Sequence, residues 1–154
     1  MELSYEGVCF DLFGTLVTGE GEPIAGVLPA LALLPPARWA IVTSCGLWLA
    51  RGLIASAKLP PPAALVSSND VVLGKPAPDP YVLAAQRLGR DPARIVVIED
   101  SLEGIAAGRA AGMDVVAIAR GRGAAFARNA TAHVERFEQL GWSVNDDGSI
   151  GLRL

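Results

Sequence analysis

The sequence is poor in the residues from which several common sites are built. It has one histidine, His133, and two cysteines, Cys9 and Cys45, which stand far apart and form no CxxC pair. That argues against a histidine-based metal centre and against a Ser-His-Asp triad. Basic charge is also scarce: 13 Lys+Arg stand against 16 Asp+Glu, for a net charge of −3. Such a balance does not suit a surface that tracks a phosphate backbone, so nucleic acid is not an expected partner. Long apolar runs are missing too. The most apolar one, Val27 to Leu34, carries Pro29 and is closed by Pro35 and Pro36, well short of the ~20 residues that span a bilayer. The opening Met-Glu-Leu-Ser-Tyr-Glu is acidic where a secretory signal would be basic. The expectation is a soluble cytoplasmic protein with reduced thiols and no membrane partner.

What the chain does have is apolar mass. Its 154 residues are 51% hydrophobic and only 19% charged, which fits one domain with one core and excludes a disordered chain. Val8 to Phe13, Trp39 to Thr43, Ala64 to Ser67, Ile95 to Glu99 and Asp114 to Ala119 read as strands. They are continuous apolar runs rather than alternating ones, the signature of strands covered on both faces in a parallel sheet. Helical patterns lie between them. Leu47 to Lys58 is stopped by Pro60-Pro61-Pro62. A second helix starts with Asp79 as N-cap and Pro80 at N1 and runs to Leu88 before Gly89. A third is capped by Ser101 and runs to Gly112. Strand–helix alternation with short connections predicts an α/β fold, a three-layer doubly wound, Rossmann-like parallel sheet. From Trp142 to Leu154, Asn145-Asp-Asp-Gly148 marks a turn, so a small C-terminal β-hairpin is expected. No repeat or linker divides the chain, and residues 1–154 read as a single domain.

In such sheets ligands bind beyond the C-terminal ends of the strands. Asp11 ends the first strand ahead of Gly14 and Thr15, Thr43 and Ser44 end the second, and Glu99 and Asp100 end the fourth. Lys75 sits in Gly74-Lys75-Pro76 before a helix. Carboxylates without His or Cys suit a hard cation such as Mg²⁺. A lysine, hydroxyls and free helix N–H groups suit a phosphate. Together they describe phosphoryl chemistry with an acid available as nucleophile.

These residues lie in Phe10-Asp-Leu-Phe-Gly-Thr-Leu16, Ile41-Val-Thr43-Ser44, Gly74-Lys75-Pro76-x-Pro78 and Val97-Ile-Glu99-Asp100-Ser101-x-x-Gly104-Ile105. In kind and order the four segments resemble the motifs of the haloacid dehalogenase (HAD) superfamily. The resemblance covers Val8 to Ala119 and implies a Mg²⁺-dependent phosphohydrolase. Asp11 would be the nucleophile and a metal ligand. Thr43 and the Ser44 N–H would hold the phosphate beside the Gly14 turn, and Lys75 would neutralise charge. Glu99, Asp100 and the main-chain carbonyl of Phe13 would complete the metal site. The substrate would be a small phosphorylated compound or a phosphorylated macromolecule.

Two departures stand out. HAD phosphatases carry a second Asp, the general acid and base, where this chain has Phe13, and losing such a group costs ~10²–10⁴ in rate. An aromatic there is found in haloacid dehalogenases, but those work without metal and lack an acidic pair like Glu99-Asp100. A metal-independent dehalogenase is therefore the alternative, and a scaffold that turns nothing over is another. The second departure is that only Val17 to Ala25 separates Leu16 from Gly26. A short loop thus stands where related chains insert a cap, and a large substrate or a second copy in a homo-oligomer is expected to cover the site. Leu47-Trp48-Leu49, at the start of a helix near this edge, is either such an interface or ordinary packing.

Overall fold

The computed structural model describes residues 2–154. A first strand, β1 (Glu2–Tyr5), belongs to a small sheet taken up below. The main sheet is made of β2 (Gly7–Phe10), β3 (Trp39–Val42), β4 (Ala64–Val66), β5 (Ile95–Glu99), β6 (Asp114–Ile118) and β7 (Ala132–Val134). All neighbours pair in parallel, in the order β4-β3-β2-β5-β6-β7. The Val/Ile runs form these strands because both faces of the sheet are covered, so neither side of the strand needs polar residues.

The helices are α1 (Val27–Leu33), α2 (Leu47–Ser56), α3 (Asp79–Leu88), α4 (Leu102–Ala110) and α5 (Gly123–Ala127). Alternate strand residues divide into two cores. Val8, Phe10, Ile41 and Ile98 pack with α1, α2 and the small sheet. Cys9, Val42, Val97 and Val115 pack with α3, α4 and α5. Phe10 anchors the first core, with Trp39 edge-on at 6.0 Å and the rings of Phe137 and Trp142 at 6.0 and 5.7 Å.

The doubly wound α/β fold expected from the sequence is present, with local differences. The first strand of the main sheet stops at Phe10, so Asp11 to Phe13 lie in the loop beyond it. In α3 it is Pro78 that holds the N-cap position, and Asp79 makes no capping hydrogen bond. Ser101 does cap α4, its Oγ accepting from the Gly104 N–H at 3.0 Å. The apolar run at Val27 is helical because Pro29 falls in the first turn, where its missing N–H has no intrahelical partner to lose. The C-terminal hairpin, β8 (Gly141–Val144) and β9 (Ile150–Arg153), gains a third strand: β1 pairs with β9, giving the antiparallel order β1-β9-β8. Among the described residues no helix is long and apolar enough to cross a membrane.

Burial separates two nearby aromatics. Phe10 is fully buried, whereas Phe13 is 51% exposed. Phe10→Ala should cost ~3–5 kcal/mol in urea unfolding, and Phe13→Ala should stay within ~0.5 kcal/mol of the parent chain.

Candidate active site

The strand order turns back at β2, the place in a doubly wound sheet where a crevice opens beyond the strand ends. Asp11 leaves β2 with its N–H on the Ile98 carbonyl at 3.1 Å. A tight loop follows, in which the Leu12 carbonyl accepts from the N–H groups of Thr15, Leu16 and Val17. Gly14 makes this loop possible. Its φ is +86°, and a Cβ there would run into the Asp100 carboxylate. The Gly14 N–H is already bonded to the Val17 carbonyl at 2.8 Å, so it is not free to donate to a phosphate beside this turn.

Lys75 lies at the centre of the site. Its Nζ donates to Asp11 Oδ1 at 2.9 Å, Glu99 Oε1 at 2.6 Å and the Val42 carbonyl at 3.0 Å. The ammonium also faces the Tyr81 ring, 5.3 Å from its centre. Burial alone would push the Lys75 ammonium down, but the Asp11 and Glu99 carboxylates hold it above its ordinary value. Asp11 is pushed up to about 6. Burial is the main cause, Lys75 opposes it, and the neighbouring Asp100 adds to it. The second Asp11 oxygen accepts from Thr15 Oγ1 at 3.1 Å.

Glu99 is wholly buried and accepts from five donors: Lys75 and the Tyr81 hydroxyl on Oε1, and the Asp100 N–H, Ser101 N–H and Ser101 hydroxyl on Oε2. Burial raises its pKa, the Asp11 charge adds to this, and Lys75 and Tyr81 oppose it. The carboxylate lies against the first turn of α4, where free N–H groups favour an anion. Only a glycine fits opposite, since a Cβ on Gly104 would overlap the Glu99 carboxyl group.

A cleft of about 370 Å³ opens above these groups, lined by Asp11, Phe13, Thr43, Ser44, Lys75 and Asp100, with Cys45, Ser101 and Glu103 beside them. Thr43 Oγ1 donates to Cys45 Sγ at 3.2 Å and accepts from the Cys45 N–H at 3.3 Å. Of the residues singled out in the sequence, Gly14 and Glu99 do not line this cleft. Gly14 lies to one side, against Asp100, and Glu99 lies under Lys75. Exposed apolar side chains accompany every loop of the site: Phe13, Trp48 with Leu49, Val72 with Leu73, and Leu102. Trp48 and Leu49 are thus not packed on the sheet.

Three residues do more than their sequence context suggests. Tyr81 reads as a core position of α3, and its role shows only because a buried phenol needs a partner. Arg122 reads as a solvated cation, yet its guanidinium donates to the carbonyls of Ala119, Ile118 and Asp100, the last at 2.7 Å, and stacks on Phe126. Arg120 reaches within 3.8 Å of Asp100 Oδ2. Arg122 meets Ala119, Ile118 and Phe126 within one turn of chain, but the contacts that bear on the site, to Asp100, join segments distant in sequence and carry no local pattern.

Asp11, Glu99 and Asp100 bring oxygens within 4.8 Å of one another. Three carboxylates against Lys75 and the more distant Arg120 leave an excess of negative charge that a divalent cation would offset, and all-oxygen donors suit a hard ion. The fit is best at the aspartates. A carboxylate has about four lone-pair sites, and the Glu99 donors already fill them.

The haloacid dehalogenase-like hydrolase family model matches residues 38–112. The chain is 42% identical over 104 residues to hexitol phosphatase A of Escherichia coli (strain K12), covering 64% of this chain and 48% of that one. It is 40% identical over 97 residues to glycerol-1-phosphate phosphohydrolase 1 of Saccharomyces cerevisiae, covering 58% and 39%. The chain thus spans half or less of these relatives. Among solved structures it resembles CbbY from Rhodobacter sphaeroides in complex with phosphate, with a TM-score of 0.77 at 19% identity over 89% of this chain and 96% of that one.

Two measurements probe this geometry. In a carboxyl-resolved NMR titration without divalent cation, Asp11 should titrate near 6, and Asp11→Asn should remove that transition. Because the folded-state value is raised, this group's contribution to stability is greatest at low pH and is lost as pH rises from about 4 through about 6. Tyr81→Phe should cost ~1–3 kcal/mol, since it removes one hydroxyl from a buried charged acceptor.

Proposed function

On the premise that this chain belongs to the haloacid dehalogenase-like hydrolases, we propose that it is a Mg²⁺-dependent phosphohydrolase working through a phosphoryl group carried on Asp11. The observation that carries this reading is the buried Lys75 ammonium clamped between Asp11 and Glu99 beneath a cleft that Thr43, Ser44 and Asp100 also line. Thr43 and the Ser44 N–H hold the phosphate oxygens. Lys75 keeps Asp11 oriented and screens its charge as the anion approaches. An Asp11 oxygen bonds to phosphorus while the ester bond breaks, and that electron pair leaves on the organic oxygen. Water then adds to phosphorus, the bond to Asp11 breaks with its electron pair returning to the carboxylate, and phosphate departs with both protons of the water. Asp11, Asp100 and the Phe13 carbonyl would hold a Mg²⁺ ion, with Glu99 behind them fixing Lys75. When bound, the cation supplies positive charge for the phosphate oxygens.

Phe13 cannot give a proton to the departing oxygen, so the chain favours leaving groups that need none, such as aryl or acyl phosphates. The acids at 99 and 100 speak against a dehalogenase, since a halide leaving group gains little from a cation site. The names of the relatives, a hexitol phosphatase and a glycerol-1-phosphate phosphohydrolase, support a small phosphorylated substrate. We further take residues 1–154 as one core without a cap, acting in the cytoplasm, with a large substrate or a second copy able to cover the exposed apolar side chains.

A second reading concerns only the acid. Glu103 lines the cleft, is exposed and makes no ion pair among the described residues, so it is placed to give the proton that Phe13 cannot. In that case Glu103→Gln would lower the hydrolysis of alkyl monoesters and leave acyl phosphates unchanged.

The reading is tested by steady-state hydrolysis with Mg²⁺ present or chelated. Asp11→Asn should abolish turnover, and chelation should do the same. Phe13→Asp should speed alkyl monoester hydrolysis by ~10²–10⁴ while changing acetyl phosphate hydrolysis far less. Equal rates for the parent chain and Asp11→Asn would identify a scaffold instead. Added Mg²⁺ should also move the Asp11 titration below its cation-free midpoint, because an opposite charge favours the carboxylate.

A further inference from the structure

A second and larger cavity, about 740 Å³, lies beside the cleft. Phe13 is a wall of both. Two more lining residues, Gly14 and Arg120, touch Asp100 from this side. The cavity therefore adjoins the site, on a side toward which the organic part of a phosphate ester held against Asp11 can extend. Its volume falls in the range of small-molecule pockets.

The walls define what fits. Phe13, Ile24, Ala25, Ile118 and Phe137 give an apolar surface. Several polar groups there are partly engaged with the protein. A Glu135 carboxylate oxygen accepts from the Gly121 N–H. Arg136 Nε is bonded to Glu138 at 2.8 Å. Thr18 Oγ1 accepts from the Glu22 N–H at 3.2 Å, and Thr15 Oγ1 is bonded to Asp11. A polyol chain would set hydroxyls against the apolar part of the wall, and each one left unmatched there would cost binding. A flat apolar ring would find the exposed ring of Phe13 to pack on and Arg120 at its edge.

We infer that this cavity holds the leaving group of the substrate and that the leaving group is aromatic, making the substrate an aryl phosphate. The inference rests on the phosphohydrolase reading of the cleft and names its substrate class. It agrees with the chemistry at Phe13: as the bond between phosphorus and the aryl oxygen breaks, the electron pair leaves on a stabilised aryloxide that needs no proton.

The test uses two probes that cannot be hydrolysed, 1-naphthylmethylphosphonate and methylphosphonate, titrated by calorimetry into the full chain with Mg²⁺. The naphthyl probe should bind at least tenfold more tightly. Ala25→Trp, at an exposed position on the cavity wall, should erase that advantage and leave methylphosphonate unchanged. Ala25→Leu, a smaller wedge, should reduce it partway and covers the case in which the tryptophan chain does not fold. Equal affinity for the two probes, or full naphthyl affinity in both variants, overturns the aromatic pocket and leaves the phosphohydrolase reading standing. If neither probe binds, the phosphate site itself is wrong and the pocket falls with it.

Discussion

The site depends on one buried cation. The Lys75 ammonium is set between the carboxylates of Asp11 and Glu99, and each of the three would be costly alone in that environment. Together they form a chain of charge-assisted bonds that ties the loop after β2 to the end of β5 and to the loop before α3. Tyr81 extends the chain into α3, and Ser101 extends it into the first turn of α4. Removing the lysine would leave two buried anions facing each other, so one residue determines both the shape of the site and its charge.

Much of this was legible in the sequence because the fold turns local patterns into position. Continuous Val/Ile runs can be satisfied only by strands covered on both sides, and in a parallel sheet the polar residue after each run necessarily arrives at the same edge. That logic brings Asp11, Thr43, Lys75, Glu99 and Asp100 to one end of the molecule. What could not be read were contacts between distant elements. Tyr81 has the sequence appearance of any core aromatic, and Arg122 that of any surface cation. The third strand of the small sheet, Glu2–Tyr5, has no turn signal to announce that it pairs with the far end of the chain. The division of labour among the acids was hidden too: Glu99 and Asp100 are neighbours in sequence, but only one of them keeps free oxygens facing the cleft.

The same contrast governs Phe10 and Phe13. Both are aromatic and close in sequence, yet the first is the centre of an aromatic cluster and the second stands at the opening of two cavities. The loop geometry imposed by Gly14 turns position 13 outward. A side chain there is therefore free to be chosen for chemistry rather than for packing.

The close approach of Glu99 to Gly104 has a consequence for descent. The carboxyl group occupies the volume that any side chain at 104 would need, so the two positions cannot drift independently. An aspartate at 99 would withdraw its carboxyl by one methylene and make room for an alanine at 104, whereas the longer acid demands a glycine. Across a set of aligned relatives the two columns should covary, with the longer acid always accompanied by the missing side chain.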